Sequence, residues 1–385
     1  MTVDLRLDGA ADSAPVVMIA ALTFLGGLAA LLVCGHLVID GASKLGARFG
    51  LTPMVIGLTI VAAGTSAPEL AVVLQSVAAD DSALAVGSVI GSNIANVLLV
   101  LGLAAMSGTI HVTNRIVRID IPIMIAASVA LLLMSLDKAL TRVDGLILVG
   151  GLVAFVTWTL RTAPRANVQA QDGPESAVAV GPGLGRLIAR LLAGIAGLAL
   201  AARFVVSGAE DIAMSLGVPE LIVGLTIVAL GTSAPEIVTT VIAALSGRRD
   251  LAVGNAVGSN IFNILLVLGA SSAIAPDGIA IGADAVELDL PIMVAAAVAC
   301  LPIVFWDNKL NRWEGGVFVG YYLAYVIFLV LDGTGHRASD PFALVLKVFV
   351  MPLTVLTIGI VVFRRRQHRH TPSNATDRET KPLTR

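Results

Sequence analysis

The sequence predicts an all-α integral membrane protein made of two inverted five-helix repeats, with one extra transmembrane helix after them. Three observations predict this fold: the composition, eleven apolar runs of spanning length, and a motif that occurs once in each half. Of the 385 residues, 57% are hydrophobic and 14% are charged. Soluble domains average about 45–50% apolar and about 25% charged residues. The composition therefore indicates a membrane protein with almost no soluble domain.

The predicted spans follow from length, because a helix needs about 20 mainly apolar residues to cross a hydrocarbon core of about 30 Å. Runs of this kind lie near residues 17–39, 53–77, 83–107, 116–135, 143–160, 184–206, 220–245, 251–275, 286–305, 313–331 and 341–363. Residues 1–15 lack the basic stretch of a signal peptide, and the run after them is too long for one. We therefore expect the first run to remain as a span.

The repeat is visible as two nearly identical strings. "GLTIVAAGTSAPE" (57–69) and "GLTIVALGTSAPE" (224–236) agree at 12 of 13 positions, and "VGSVIGSNIANVLLVLG" (86–102) agrees with "VGNAVGSNIFNILLVLG" (253–269) at 12 of 17. The looser pair "DIPIM" and "DLPIM" extends the match. Five spans per unit is an odd number, so the second half should enter the membrane from the opposite side. Inverted repeats with broken helices are typical of secondary transporters.

The repeat also divides the chain. We expect a first repeat at residues 1–161 and a second at residues 186–331. Residues 162–185 between them are rich in Ala, Gly, Pro and polar residues, which predicts a short cytoplasmic linker. Residues 332–385 hold the extra transmembrane helix and a basic cytoplasmic tail.

Lysine and arginine concentrate on cytoplasmic loops, and their distribution predicts the orientation. With the N-terminus outside, the cytoplasmic side holds 19 of the 25 basic residues. These are Lys44, Arg48, Arg115, Arg118, Arg161, Arg165, Arg186, Arg190, Arg248, Arg249, Lys309, Arg312, Arg364, Arg365, Arg366, Arg369, Arg378, Lys381 and Arg385. We therefore expect a multi-pass protein of the cell membrane with its N-terminus outside and its C-terminus in the cytoplasm.

Two glutamates, Glu69 and Glu236, lie inside predicted spans in identical surroundings. An ionisable group there costs at least about 2.5–3.5 kcal/mol, so its presence twice indicates a function. The preceding Pro68 and Pro235 lack an N–H, which should loosen each helix at the glycine four residues earlier. Carbonyl oxygens freed in this way must bind water, protein or an ion.

Further oxygen atoms surround these glutamates in the sequence. Each motif adds a Thr-Ser pair, and each "GSN" segment places a serine and an asparagine four residues apart on one helix face. A set of carboxylate, hydroxyl, amide and carbonyl oxygens suits hard cations such as Ca²⁺, which bind six to eight oxygens. Transition metals would be expected to recruit Cys or His.

Glycines beside the "GSN" segments are expected to help the site assemble without binding an ion, because small residues let membrane helices pack closely. They are Gly87, Gly91, Gly254 and Gly258.

The paired "GTSAPE" and "GSNI" segments, in two inverted five-span halves, resemble those of the sodium/calcium exchanger family of the cation/calcium antiporter superfamily. The resemblance covers roughly residues 17–331 and implies an antiporter, not an enzyme, that exchanges Ca²⁺ for Na⁺ by alternating access without a cofactor. The implied side-chain ligands are Thr65, Ser66, Glu69, Ser92, Asn96, Thr232, Ser233, Glu236 and Ser259, joined by the carbonyls of Ala62 and Ala229. The spans at 17–39 and 184–206 would form the moving bundle.

One residue departs from the family pattern. Many members carry an aspartate where this chain has Asn263, which we keep as a candidate amide ligand. Two central carboxylates can balance one Ca²⁺, two Na⁺ or two H⁺, so we expect a coupling ratio nearer two than the usual three. The short linker also leaves no room for the regulatory domains of animal relatives.

Other functions fit the same residues. A Ca²⁺/H⁺ antiporter could use the same two glutamates, since a buried carboxylate can carry a proton. A channel could use the same oxygens, although inverted repeats with broken helices favour alternating access. An intramembrane hydrolase would need a base beside Ser66 or Ser233, and no His or Lys repeats there. The expected partners are Ca²⁺, Na⁺ or H⁺, and the lipid bilayer, with no nucleic acid.

Overall fold

A computed structural model describes residues 8–163, 183–223, 226, 229–301 and 308–334, and these residues are almost entirely helical. The eleventh predicted span at 341–363, the basic tail and most of the predicted linker lie outside the described residues. The structure therefore describes the two repeats and not the segments that join and follow them.

The first half consists of eight helices, two short strands and several turns of other helical geometry. The α-helices are α1 (Asp8–Arg48), α2 (Pro53–Ile56), α3 (Ala62–Thr65), α4 (Ala67–Ala78), α5 (Ser82–Ala95), α6 (Leu101–Ser107), α7 (Ile121–Met134) and α8 (Arg142–Thr162). The π-helical turns are Gly57–Val61, Asn96–Val100 and Ile116–Asp120, and a 3₁₀ turn covers Ser135–Asp137. The strands are β1 (Ile110–His111) and β2 (Ala139–Leu140).

The described part of the second half follows the same order. Its α-helices are α9 (Leu184–Ser215), α10 (Glu220–Val223), α11 (Ala229–Thr232), α12 (Ala234–Leu245), α13 (Arg249–Phe262), α14 (Gly269–Ile274), α15 (Leu290–Ala299) and α16 (Arg312–Gly333). The π-helical turns are Asn263–Leu268 and Ala285–Asp289, and the strands are β3 (Ile279–Ala280) and β4 (Lys309–Leu310).

Eight stretches within the described ranges are long and apolar enough to cross a membrane. They are Val17–Arg48, Pro53–Ala78, Ser82–Ser107, Ile116–Asp137, Arg142–Thr162, Leu184–Ser215, Arg249–Ile274 and Arg312–Gly333. The predicted seventh span corresponds to α10–α12, within which residues 224–225 and 227–228 are not described. The predicted ninth span corresponds to α15, after which residues 302–307 are not described. Eight of the predicted spans are therefore found as helical stretches long and apolar enough to cross a membrane.

The first and sixth spans are longer than predicted. Helix α1 continues past residue 39 to Arg48, and α9 continues past residue 206 to Ser215. The acidic segment "SGAEDIA" (207–213) lies within this continuation of α9. Hydrophobicity marks only the part of a helix that lies in hydrocarbon, and a helix can continue through polar residues beyond it.

The two pairs of strands show how the halves are oriented. β1 pairs with β4, and β2 pairs with β3, both antiparallel. β1 and β3 follow equivalent spans of the two halves, as do β2 and β4. Because the span Ile116–Asp137 separates β1 from β2, the two equivalent connections β1 and β3 lie on opposite sides of the bundle. This arrangement agrees with inverted repeats.

Helices α1 and α9 form a pair at the edge of the molecule. They pack against each other closely enough that a Cβ atom on Gly208 of α9 would lie 2.6 Å from the backbone nitrogen of Phe24. Asp40 of α1 joins them further along by an ion pair of 3.0 Å with Arg190. The span Arg249–Ile274, in contrast, is almost completely buried. The centre of the molecule is thus built from the repeated "GSN" segments, with α1 and α9 outside it.

The glycines predicted to pack helices together behave differently in the two halves. A Cβ atom on Gly254 would lie 2.6 Å from the carbonyl oxygen of Met54, and one on Gly258 would lie 2.8 Å from that of Leu58. For Gly254 and Gly258 the prediction is confirmed. Around Gly87 and Gly91 a Cβ atom would meet open space among the described residues, so the prediction is wrong for them. The reason is that α13 lies at the centre of the bundle, whereas Gly87 is exposed.

This difference predicts unequal effects at equivalent positions of the repeat. Gly254→Ala should lower the free energy of unfolding by about 1–3 kcal/mol, because the new methyl group overlaps backbone that cannot move aside. Gly87→Ala is the matched control and should leave stability unchanged within about 0.5 kcal/mol. Thermal unfolding of both purified variants in detergent checks this. Equal melting temperatures for the two variants would contradict it.

Candidate ion-binding site

The repeated motif breaks its helix in both halves. Helix α3 ends at Thr65, Ser66 adopts a turn with φ −78° and ψ −2°, and α4 begins at Ala67. In the second half, Ser233 adopts φ −86° and ψ 1° between α11 and α12. The predicted breaks are confirmed, but they lie at the serines rather than at the glycines two residues earlier. A proline favours the first turn of a new helix, so the break comes just before that turn.

Both glutamates are buried at these breaks. Glu69 lies in the first turn of α4 and Glu236 in the first turn of α12, and neither has any exposed surface (0%). Their charges are close enough to interact with each other. The partial positive charge of a helix N-terminus favours a carboxylate there. Each broken helix therefore brings one carboxylate to a common central point.

These carboxylates lack partners of their own. None of the four oxygens of Glu69 and Glu236 lies within 3.5 Å of a hydrogen-bonding partner in the part of the chain that the structure describes, although the Glu236 carboxyl group is close enough to Glu69 and Thr65 to interact with them. A buried charge without a partner is very costly. A bound cation or a proton would remove this cost.

Hydroxyl groups lie next to the carboxylates and connect the two halves. Thr65 Oγ1 and Ser259 Oγ are 3.3 Å apart, and Ser233 Oγ donates a hydrogen bond of 3.2 Å to Ser92 Oγ. In both cases a residue of one "GTSAPE" motif meets a residue of the other half's "GSN" segment. Residues of both repeats therefore meet at the candidate site.

The two asparagines of the site also lack partners. Both side-chain amide atoms of Asn96 and of Asn263 are buried without a hydrogen bond to any described residue, and so is Ser66 Oγ. Each asparagine begins a π-helical turn. Such turns are frequent at functional sites because their wider spacing alters the backbone hydrogen bonds. The amide oxygens are thus further neutral ligands that a cation could use.

The candidate ligands predicted from the sequence differ in how deeply their side chains are buried. The fully buried side chains are Thr65, Ser66, Glu69, Ser92, Asn96, Ser233, Glu236, Ser259 and Asn263. Thr232 is half-buried and faces a cavity. The carbonyl oxygen of Ala62 already accepts the N–H of Ser66 at 3.0 Å and has one lone pair left. Ala229 is the first residue of α11.

The cavity beside the breaks has a volume of about 820 Å³. It lies between α9 and the two broken helices, with Pro68, Thr232 and Pro235 on one wall and Arg203 and Glu210 among the residues of α9 on the other. The walls of this cavity are mainly apolar, and Thr232 is a candidate ligand that lines it.

Sequence reasoning missed one buried polar group next to the site. Asn255 lies one helical turn before Ser259, on the same face of α13, and its Oδ1 is 3.5 Å from Thr65 Oγ1. The equivalent residue in the first half is Ser88, so Asn255 lies at a position where the repeat does not match. That mismatch was the one signal that could have indicated it.

Comparison with known proteins agrees with this architecture. The family model described as sodium/calcium exchanger protein matches residues 19–161 and 186–331. The chain is 35% identical to the inner membrane protein YrbG of Escherichia coli, over 81% of this chain and 97% of that protein. It is 29% identical to the sodium/calcium exchanger MaX1 of Methanosarcina acetivorans, over 80% of this chain and 97% of that protein. A solved structure of the sodium–calcium exchanger NCX_Mj superposes with a TM-score of 0.69 and 25% identity, over 81% of this chain and 99% of the other.

Proposed function

Because the chain belongs to the sodium/calcium exchanger family, whose members are transporters and not enzymes, we propose that it exchanges Ca²⁺ for Na⁺ across the cell membrane. One observation carries this proposal: Glu69 and Glu236 are buried together, and their four carboxylate oxygens have no hydrogen-bonding partner in the described residues. A divalent cation between them would neutralise both charges. Protons on the two carboxylates would neutralise them as well, which is the basis of the alternative given below.

The proposed ligands of the transported cation are oxygen atoms of both halves. They comprise the side chains of Thr65, Ser66, Glu69, Ser92, Asn96, Thr232, Ser233, Glu236, Ser259 and Asn263 and the carbonyls of Ala62 and Ala229. Hydroxyl, amide and carboxylate oxygens are what Ca²⁺ and Na⁺ prefer. Within the described ranges, no three His, Cys, Asp or Glu side chains cluster as a metal site would, so most ligands would be neutral oxygens.

Sodium is the proposed coupling ion. The relatives MaX1 and NCX_Mj are both named sodium/calcium exchangers, and the neutral oxygens around the glutamates can bind Na⁺ as well as Ca²⁺. The alternative is a proton, which would bind the same unpartnered carboxylates. With two carboxylates, two monovalent cations replace one Ca²⁺ without changing the charge of the site.

Uptake of ⁴⁵Ca²⁺ into liposomes tests the choice between Na⁺ and H⁺. Vesicles loaded with Na⁺ and diluted into Na⁺-free medium at equal pH should accumulate Ca²⁺. Vesicles with an acidic interior and no Na⁺ should not, beyond the level of protein-free liposomes. Uptake driven by the pH gradient alone would show that the coupling ion is a proton.

Alternating access is proposed to come from sliding of α1 and α9 across the rest of the molecule. Three features support this. The α1–α9 pair packs mainly with itself, and the cavity of about 820 Å³ lies between part of α9 and the broken helices. Where α9 contacts the two motifs, it meets Gly64 and Gly231, at which a side chain would overlap Ile195 and Val206 of α9. A smooth surface at both breaks would let α9 move past them.

The orientation, with the N-terminus outside and the C-terminus in the cytoplasm, rests on the distribution of basic residues. We predict that cysteines introduced at Asp81 and Asp211, in a variant lacking Cys34 and Cys300, react with an impermeant thiol reagent added outside. A cysteine at Ser246 should react only after the membrane is opened. All three positions are exposed in the structure, so accessibility reports the side of the membrane. The reverse labelling pattern would contradict the proposed orientation.

A further inference from the structure

Buried polar side chains of the second half form a hydrogen-bonded network next to Thr65 of the first half. Asn255 of α13 donates through Nδ2 to Thr240 Oγ1 at 2.8 Å and to Thr239 Oγ1 at 3.2 Å. Asn255, Thr239 and Thr240 have no exposed surface (0%). Three polar side chains are thus placed deep in the bundle, where each needs a partner.

The hydrogen bonds determine which way the Asn255 amide points. Both of its N–H groups are directed to the threonine hydroxyls. Thr239 can accept one of them because its own hydroxyl proton goes to the carbonyl oxygen of Pro235 at 2.7 Å. The oxygen Oδ1 must then point the other way, and there it lies 3.5 Å from Thr65 Oγ1. Asn255 therefore offers Thr65 an acceptor.

A hydroxyl has one proton and two lone pairs, and a cation binds the lone pairs. The proton of Thr65 must therefore point away from a bound cation. Besides Asn255 Oδ1, the acceptors near it are Ser259 Oγ at 3.3 Å, the carbonyl oxygen of Ala62 at 3.4 Å and the Glu236 carboxylate. All three are proposed cation ligands themselves, so a hydrogen bond to any of them would compete with the cation. If Thr65 donates its proton to Asn255 instead, every proposed ligand keeps its lone pairs available for the cation.

We propose that Asn255 is a positioning residue, which accepts the hydroxyl proton of Thr65 and so directs the lone pairs of Thr65 toward the transported cation. Thr239 and Thr240 hold the Asn255 amide in the required orientation. This inference rests on the proposed function, since it takes Thr65 as a cation ligand. It makes the affinity for Ca²⁺ depend on a residue that does not itself bind the ion.

The repeat shows that the network is not a general requirement of the fold. The equivalents of Asn255, Thr239 and Thr240 in the first half are Ser88, Val72 and Val73. Valine cannot accept a hydrogen bond, and Ser88 Oγ has no partner among the described residues. The first half therefore folds and packs without these polar contacts. The two halves of the site are unequal, and the second half holds Thr65 in a fixed orientation.

The test is a double-mutant cycle on Ca²⁺ binding by the purified full-length protein, measured by isothermal titration calorimetry without Na⁺. Asn255→Ala should weaken Ca²⁺ binding by up to about tenfold, which is the upper end for the loss of one hydrogen bond between neutral groups. Thr65→Ala should weaken it by a similar factor or more. The double variant should bind like Thr65→Ala alone, because Asn255 acts only through Thr65.

Ser88→Ala is the matched control at the equivalent position and should stay within about twofold of the wild type. Independent effects that multiply to about a hundredfold in the double variant would overturn the proposal, as would an unchanged affinity of Asn255→Ala. If Asn255→Ala does not fold, Thr240→Val takes its place, with an expected loss of about threefold that disappears when Thr65 is alanine. A wild-type protein that binds no Ca²⁺ would instead overturn the proposed function.

Discussion

Glu236→Gln is expected to abolish Na⁺-driven Ca²⁺ uptake in liposomes, and Glu69→Gln to do the same. Glutamine keeps the shape of the side chain but removes one of the two charges that would balance Ca²⁺. The free energy of unfolding should be unchanged or higher, because a buried charge without a hydrogen-bonding partner in the described chain is removed. Initial rates of ⁴⁵Ca²⁺ uptake and thermal unfolding of the same preparations check both parts.

Glu287→Gln is the control for this experiment, since Glu287 is an exposed glutamate in the second repeat. It should transport within about twofold of the wild-type rate, as surface substitutions usually have small effects. Wild-type transport by either Glu69→Gln or Glu236→Gln would show that the carboxylates are structural and that the cation binds elsewhere.

Asn263→Asp is expected to change the coupling of transport. Asn263 is fully buried, and its amide has no partner among the described residues, so an aspartate there would add a third carboxylate to the site. The site would then bind one more positive charge when it holds monovalent cations. Exchange should become electrogenic, and its rate should fall as the medium is acidified, because a proton on the new carboxylate would compete with the cation. Solid-supported membrane currents between pH 6 and 8 measure both effects.

The wild type provides the comparison for Asn263→Asp. Exchange by the wild type should produce little current under the same ion gradients. Identical currents from the wild type and from the variant would contradict the idea that the number of carboxylates determines the coupling ratio.

The repeat made most of the site predictable. Each candidate ligand of the first half has an equivalent in the second half because the two motifs are nearly identical. The contact of 3.2 Å between Ser92 and Ser233 of the opposite motif is known only from the structure. The prolines likewise predicted a broken helix in each half. The position of the break was off by two residues because a proline tells where a helix can begin and not where the previous one ends.

Other features of the structure could not be predicted, because they depend on how the helices pack and equivalent residues of the two repeats pack differently. Gly87 and Gly254 are equivalent in sequence, yet only Gly254 is in close contact with another helix, since α13 lies at the centre. The π-helical turns at Asn96 and Asn263 have no signature in the hydrophobic pattern, because they change hydrogen bonding along the helix and not the residues' polarity. Asn255 differs from Ser88, and only the structure shows that it faces Thr65.

The most direct test of a two-carboxylate site is the Ca²⁺ gradient that the wild-type protein supports at equilibrium. Liposomes with a known Na⁺ gradient would be clamped at several membrane potentials with K⁺ and valinomycin, and the internal and external Ca²⁺ concentrations measured once net flux stops. If two Na⁺ replace one Ca²⁺ between Glu69 and Glu236, the Ca²⁺ ratio should equal the square of the Na⁺ ratio and should not change with voltage. A Ca²⁺ ratio that changes about tenfold for each 60 mV would mean that one net charge moves per cycle. Such a result would show that a third Na⁺ binds without a third carboxylate.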